Sequence, residues 1–245
     1  MPMRERPRRH GEWLFRHRSY VPVALLPLLA AGVAAAAHPV PLARERTWEL
    51  LCFIVSFLGL AVRAWTVGSA PAGTSGRNRG RQVAEQLNTT GPYSVVRNPL
   101  YLGNALMWAG VALYARSAWL ALGVGIAFWL VYARIVCAEE AFLRERFGAA
   151  FTAWAAATPA FVPRLRGYRR AALPFSLRNV LRREYSGLFA LVILFTGEVL
   201  EWWRFATGRW YADPVWLPAA GASAVLYVTL RTLKRRTRLL HVEGR

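Results

Sequence analysis

Lysine is almost missing from this chain: Lys234 is the only one in a sequence with 32 Lys+Arg. Acidic residues are also few, 13 Asp+Glu, so the formal net charge is +19. Cysteine occurs twice and histidine four times. Cys52 and Cys137 build no disulfide framework, and no spacing has the form of a zinc site. Both lie in apolar runs, where free cysteine behaves as a small hydrophobe, so burial is expected for each. His10, His17, His38 and His241 are scattered away from any carboxylate or cysteine cluster. They read as surface or interfacial residues, and no metal site is expected.

What the chain does have is apolar residues, 55% of the total. High charge and high hydrophobicity coexist most easily when they are segregated along the sequence. Here long apolar blocks alternate with short arginine-rich stretches, the pattern of a polytopic membrane protein. A nucleic-acid binder can be equally basic. Its basic residues would not flank apolar spans, so no nucleic-acid partner is expected. The preference for arginine suits contact with phosphate, which a guanidinium holds in a bidentate fork.

The expected fold is all-α, with about six transmembrane helices, a tight helical hairpin and cytoplasmic interfacial helices. The spans are read at about 21–40, 48–67, 100–114, 118–136, 187–204 and 215–230. Small residues at 34–36 imitate a signal-peptide cleavage site, but the block is long and more spans follow, so a retained first helix is the reading. Only Ala115, Arg116 and Ser117 separate the third and fourth blocks, which makes them an antiparallel hairpin. Residues 137–184 are amphipathic, and Ser176 is placed to cap a short basic interfacial helix over 177–183. Gly123 and Gly125 lack a third glycine in register and a preceding strand, so close helix packing is expected there rather than a nucleotide site.

Arginine sets the expected topology. The N-terminus, the 68–98 loop, the 137–184 segment and the tail are arginine-rich, and six spans with both ends cytoplasmic put all of them on one side. A bacterial inner membrane is the expected location. Three units follow: 1–47 with the first span, 48–165 as the core, and 166–245 with two further spans and a basic tail.

The most informative stretch is 91–103, Gly-Pro-Tyr-Ser-Val-Val-Arg-Asn-Pro-Leu-Tyr-Leu-Gly, which joins a polar loop to an apolar helix. The hairpin should bring its Arg97, Asn98 and Tyr101 near Glu139 and Glu140 at the far end of the fourth span. Two readings stand for each part. The glutamates are either a solvated helix end paired with Arg134 and Arg144, or a binding site for an ammonium or sulfonium. The turn is either an ordinary proline-started helix with an aromatic anchor, or an anion site built on a helix N-terminus with Arg97 as a fixed cation.

On these residues the chain resembles the isoprenylcysteine carboxyl methyltransferase and phospholipid methyltransferase superfamily. The resemblance is carried by Gly91, Pro92, Tyr93, Arg97, Pro99, Tyr101 and Gly103, then Glu139 and Glu140, then Leu143, Phe147 and Gly148 and the Pro163 region, and covers about 48–165. It implies an integral membrane enzyme using S-adenosylmethionine. Tyr93, Arg97, Asn98, Pro99, Tyr101, Gly103, Glu139 and Glu140 would then line the cofactor pocket, with Arg97 and the two glutamates catalytic. Asn98 stands where the family usually has histidine, and asparagine does not titrate.

Residues 75–78, 87–90 and 173–179 further resemble a bacterial branch that includes lipid A 1-phosphate methyltransferases. A phosphate oxygen is already anionic and requires no general base. Arg77, Arg81, Arg178 and Arg182 are the expected contacts to such a headgroup. The membrane lipid is therefore both solvent and substrate. Rival readings are carboxyl methylation of a prenylcysteine or another lipophilic carboxylate, N-methylation of a phospholipid amine, a nicotinamide-dependent sterol-type reductase, and a non-catalytic binder of anionic lipid.

Overall fold

The computed structural model describes residues 23–37, 42–74 and 84–245. These residues contain six α-helices and no strand: α1 Leu26–Ala36, α2 Leu42–Ser69, α3 Pro99–Tyr114, α4 Ala118–Ala157, α5 Leu177–Thr207 and α6 Trp216–Arg236. The chain is an all-α membrane protein. Arg44–Ser69, Ala118–Ala157 and Leu177–Thr207 are long and apolar enough to cross a bilayer. At 11 residues α1 is half the length of the block read as the first span, and α3 has 16.

The helix boundaries follow local chemistry. Pro99 occupies the first turn of α3, where its missing N–H costs no hydrogen bond. Ser117 caps α4 by accepting from the Leu120 amide, and Ser176 caps α5 by accepting from the Asn179 amide. The Ser176 cap is as expected, but the helix it opens is not short. Residues 177–183 are the first two turns of the 31-residue α5, because no proline interrupts the backbone before the apolar run and Gly187 is accommodated within the helix. Likewise the fourth span does not stop at 136. The helix carries Glu139 and Glu140 onward to Ala157, with one break at Gly148, φ 53° and ψ −122°, a conformation open to glycine and strained for other residues.

Three glycines set how closely α2 and α3 approach. A Cβ on Gly59 would lie 2.4 Å from the Gly103 carbonyl oxygen, and one on Gly110 would lie 2.3 Å from that of Cys52. Gly123 and Gly125, expected at a packed face, have nothing within 4 Å of an added Cβ. They point away from the bundle, because the contact face of α4 falls at Val124, Tyr132 and Ile135. Cys52 is buried as expected, whereas Cys137 is exposed on the outer face of α4.

The core lies towards the α3–α4 turn. Phe195 stacks on Trp216 with ring centres 5.5 Å apart, and Phe53 meets both edge-on. Beside it, Arg116 bonds Glu45 at 2.7 Å between the rings of Trp48 and Trp202. Arg46 joins Glu49 and Asp213. This end of the bundle is fastened, and the opposite end carries the site.

Candidate active site

The 91–98 segment is irregular and tightly held. Gly91 has φ 58°, the left-handed region, and opens a short 3-10 turn Gly91–Ser94. Residues 159–172 lie along it as a strap. The Gly91 amide donates to Arg169 O at 2.9 Å, the Arg97 amide to Pro159 O at 2.8 Å, and the Arg164 amide to Val95 O at 2.9 Å. The Trp154 indole donates to Tyr93 O at 3.0 Å. An unpaired buried backbone group is costly, so this edge-to-edge pairing is what lets a non-helical loop sit against the bundle.

The hairpin brings the turn and the glutamates together. Arg97 Nε donates to Glu140 Oε1 at 2.8 Å, and Arg97 Nη1 donates to the Ala155 and Thr158 carbonyls at 2.7 and 3.0 Å. The guanidinium therefore ties α3, the body of α4 and the end of α4 into one unit. The Tyr101 hydroxyl donates to Glu139 Oε2 at 2.9 Å. Asn98 turns the other way and donates to Ala160 O at 3.2 Å. Its amide serves the strap and not the carboxylates. Arg134, considered as a partner for the glutamates, bonds the Leu130 carbonyl one turn back, and Arg144 lies over the Phe151 ring.

Tyr93 lies within electrostatic reach of Glu139. Burial pushes its phenol well above the ordinary range, and the Glu139 charge adds to this against the opposing pull of Arg183 and Arg63. Pro99 and Gly103 are buried. Gly103 faces α2, where an added Cβ would lie 2.5 Å from Arg63 Cγ. A cleft of about 510 Å³ opens beside Arg97, between the last turn of α4 and Pro163 and Arg164.

The arginines expected at the headgroup divide into two groups. Arg178 is exposed at the start of α5, and Arg182 is one turn on, its carbonyl accepting from Lys234 at 3.0 Å. Arg77 and Arg81 lie outside the described residues, as do the 1–20 basic segment and His10, His17 and His38. Among the described residues no group of three His, Cys, Asp or Glu is placed to hold a metal ion.

Sequence reasoning missed four residues around Tyr101 and Glu139. Arg63 of α2 forms a two-pronged ion pair with Glu184 of α5, at 2.8 and 2.9 Å, and also donates to Asn104 Oδ1 at 2.7 Å. Asn104 donates to the Tyr132 hydroxyl at 3.4 Å. A signal existed: Arg63 is the one charge inside the 48–67 apolar block apart from Glu49 near its start, and an ionisable group within a span marks a functional position by default.

The fold and this site define a helical membrane protein in which two adjacent carboxylates on one span are met across a hairpin by an Arg-x-Pro-x-Tyr turn. Residues 49–150, less than half of the chain, match the family model described as phospholipid methyltransferase. The cobalt-zinc-cadmium resistance protein CzcN of Cupriavidus metallidurans is 40% identical over 83 residues, 34% of this chain and 38% of that protein. The nickel-cobalt-cadmium resistance protein NccN of Alcaligenes xylosoxydans xylosoxydans is 40% identical over 90 residues, 37% of this chain and 41% of that protein. The match thus spans less than half of either relative. No solved structure matches the chain.

Proposed function

We propose that this protein is a membrane methyltransferase that uses S-adenosylmethionine and acts on a lipid, most simply by O-methylation of a headgroup phosphate such as a lipid A 1-phosphate. The observation that supports this reading is the convergence of Tyr101 on Glu139 and of Arg97 on Glu140 within the segment that matches the methyltransferase family. Carboxylates fit the cofactor chemically, because its amino-acid group and its sulfonium are both cationic. When bound, S-adenosylmethionine supplies a methyl group on a positively charged sulfur.

In this reading Glu139 holds a cationic group of the cofactor, with Tyr101 fixing the carboxylate through its hydroxyl. Glu140 and Arg97 keep the turn and α4 in register. Arg97 spends its hydrogen bonds on protein groups, so its role is to position the pocket. The headgroup falls to Arg178 and Arg182 in the first turns of α5, with Arg77 and Arg81 as the further candidates named from the sequence. The bound cofactor would supply an electrophilic methyl group, and Arg178 and Arg182 would hold the phosphate so that one anionic oxygen faces it. No proton moves, which suits Asn98 in place of a histidine. The enzyme's task is then alignment and exclusion of water. The arginine-rich segments support a site on the cytoplasmic face of an inner membrane, by the positive-inside rule.

The test is transfer of labelled methyl from S-adenosylmethionine into lipid extracts by membranes containing the protein, with Glu139→Gln as control. Label in a phosphate-bearing lipid that the variant does not produce supports the proposal. Absence of label in every lipid pool, together with no cofactor binding by purified protein, overturns it.

A further inference from the structure

Four helices are linked by a path of hydrogen bonds and one ring contact that ends at Glu139. Glu184 of α5 grips Arg63 of α2 on two edges of the guanidinium, and both side chains are nearly buried, 5% and 13% exposed. The third edge of Arg63 donates to the Asn104 oxygen, which fixes the amide so that its nitrogen faces the Tyr132 hydroxyl of α4. The Tyr132 ring is held from behind by Phe128, stacked at 4.0 Å, and meets the Tyr101 ring edge-on at 5.3 Å. Tyr101 then donates to Glu139.

We propose that Glu184 is a positioning residue of the site, acting through Arg63, Asn104 and Tyr132 to set the orientation of Tyr101 and thereby of the Glu139 carboxylate. The inference rests on the methyltransferase reading of that site. It also extends the functional unit: Glu184 lies beyond the 49–150 family segment and beyond the 48–165 core expected from the sequence, so α5 belongs to the site.

A buried ion pair is by itself weak evidence for stability, since desolvating two charges offsets much of their attraction. Connection is what sets this pair apart. The pairs Arg46–Asp213 and Arg116–Glu45 at the opposite end are also sheltered, and the bonds and ring contacts of their side chains run to Glu49, Tyr114, Trp48 and Trp202. Arg63–Glu184 is two side chains away from Tyr101. The planar fork of Arg63 fixes how Glu184 and Asn104 are arranged around it. Tertiary geometry is thereby transmitted by direction as well as by charge.

The experiment measures cofactor binding and methyl transfer for Glu184→Gln, Tyr101→Phe and the double variant in purified full-length protein. Glu184→Gln is expected to weaken cofactor binding roughly tenfold, and the double variant to bind as weakly as Tyr101→Phe alone, since two changes on one path are not additive. Asn104→Ala should show the same dependence on Tyr101, and Glu184→Asp should recover part of the loss. Additive losses, or full affinity in folded Glu184→Gln, overturn the inference. If Glu184→Gln does not fold, Asn104→Ala carries the same comparison. Failure of the wild type to bind S-adenosylmethionine is a different outcome, and overturns the methyltransferase reading itself.

Discussion

Arg97 and Glu140 are 43 positions apart in sequence and 2.8 Å apart in space. The pair closes the hairpin at the end opposite its three-residue turn, so the α3–α4 unit is pinned at both ends. Arg97→Ala leaves Glu140 without its guanidinium and frees the Ala155 and Thr158 carbonyls, at an expected cost of about 3 kcal/mol. Thermal unfolding in detergent measures it. Glu140→Gln should cost less, because Arg97 keeps its two carbonyl partners, and the double variant should be less than additive.

Tyr101→Phe removes one hydrogen bond to a charged group and leaves the ring packing on Tyr132 intact. Such a bond is worth about 1.5–3 kcal/mol, so cofactor affinity should fall roughly tenfold or more with little change in unfolding temperature. Titration calorimetry with S-adenosylmethionine, set beside a melting curve, separates the two effects. Equal loss in both would assign Tyr101 to folding alone.

Glycine positions give a prediction of opposite sign on two faces. Gly59→Ala and Gly110→Ala drive a methyl group into backbone of the facing helix and should lower stability by about 1–3 kcal/mol. Gly123→Ala and Gly125→Ala meet open space and should raise helix stability by up to about 1 kcal/mol each. Unfolding of the four variants in one detergent is sufficient to compare them.

Asp213 supplies a pH dependence. Burial alone would raise its carboxyl, but hydrogen bonds from Arg46 and from the Trp216 and Val215 amides outweigh this and hold it below its ordinary 3.8. The unfolded chain therefore takes up a proton at higher pH than the folded one. The stability this group contributes is present above 3.8 and is lost as the pH falls through the lowered native value. Asp213→Asn should flatten that part of the stability curve, measured as unfolding midpoint between neutral and acid pH.

How much of this was legible depended on whether a signal was local. The hairpin, the Ser176 cap and the meeting of Arg97 and Tyr101 with the glutamates follow from a three-residue turn and from helices of known rise. The continuity of α4 and α5 was not visible, because a change from apolar to basic composition resembles a boundary where the backbone makes none. The strap over the 91–98 turn was not visible either, since its bonds run between main-chain groups that carry no sequence signature. Asn98 was drawn towards the glutamates by its neighbours, but its partner is Ala160. Glu184 was read as part of a basic interfacial stretch, and only the fold shows that it turns inward to Arg63.

The brevity of α3 has a consequence for kinetics. Its 16 residues rise about 24 Å, whereas the hydrocarbon of a bilayer is about 30 Å thick. In the proposed reading, with the α3–α4 turn at the opposite surface, the end that bears Tyr101 would lie below the headgroup plane, level with the first methylenes of the surrounding lipid. In the proposed reaction a lipid acceptor would reach such a site sideways, by diffusion in two dimensions, while the nucleoside-bearing methyl donor would come from water. The quantity that sets the rate for the acceptor is then its mole fraction in the leaflet. Mixing inert detergent or lipid into the membrane slows transfer even when the amounts of enzyme and acceptor in the tube are unchanged.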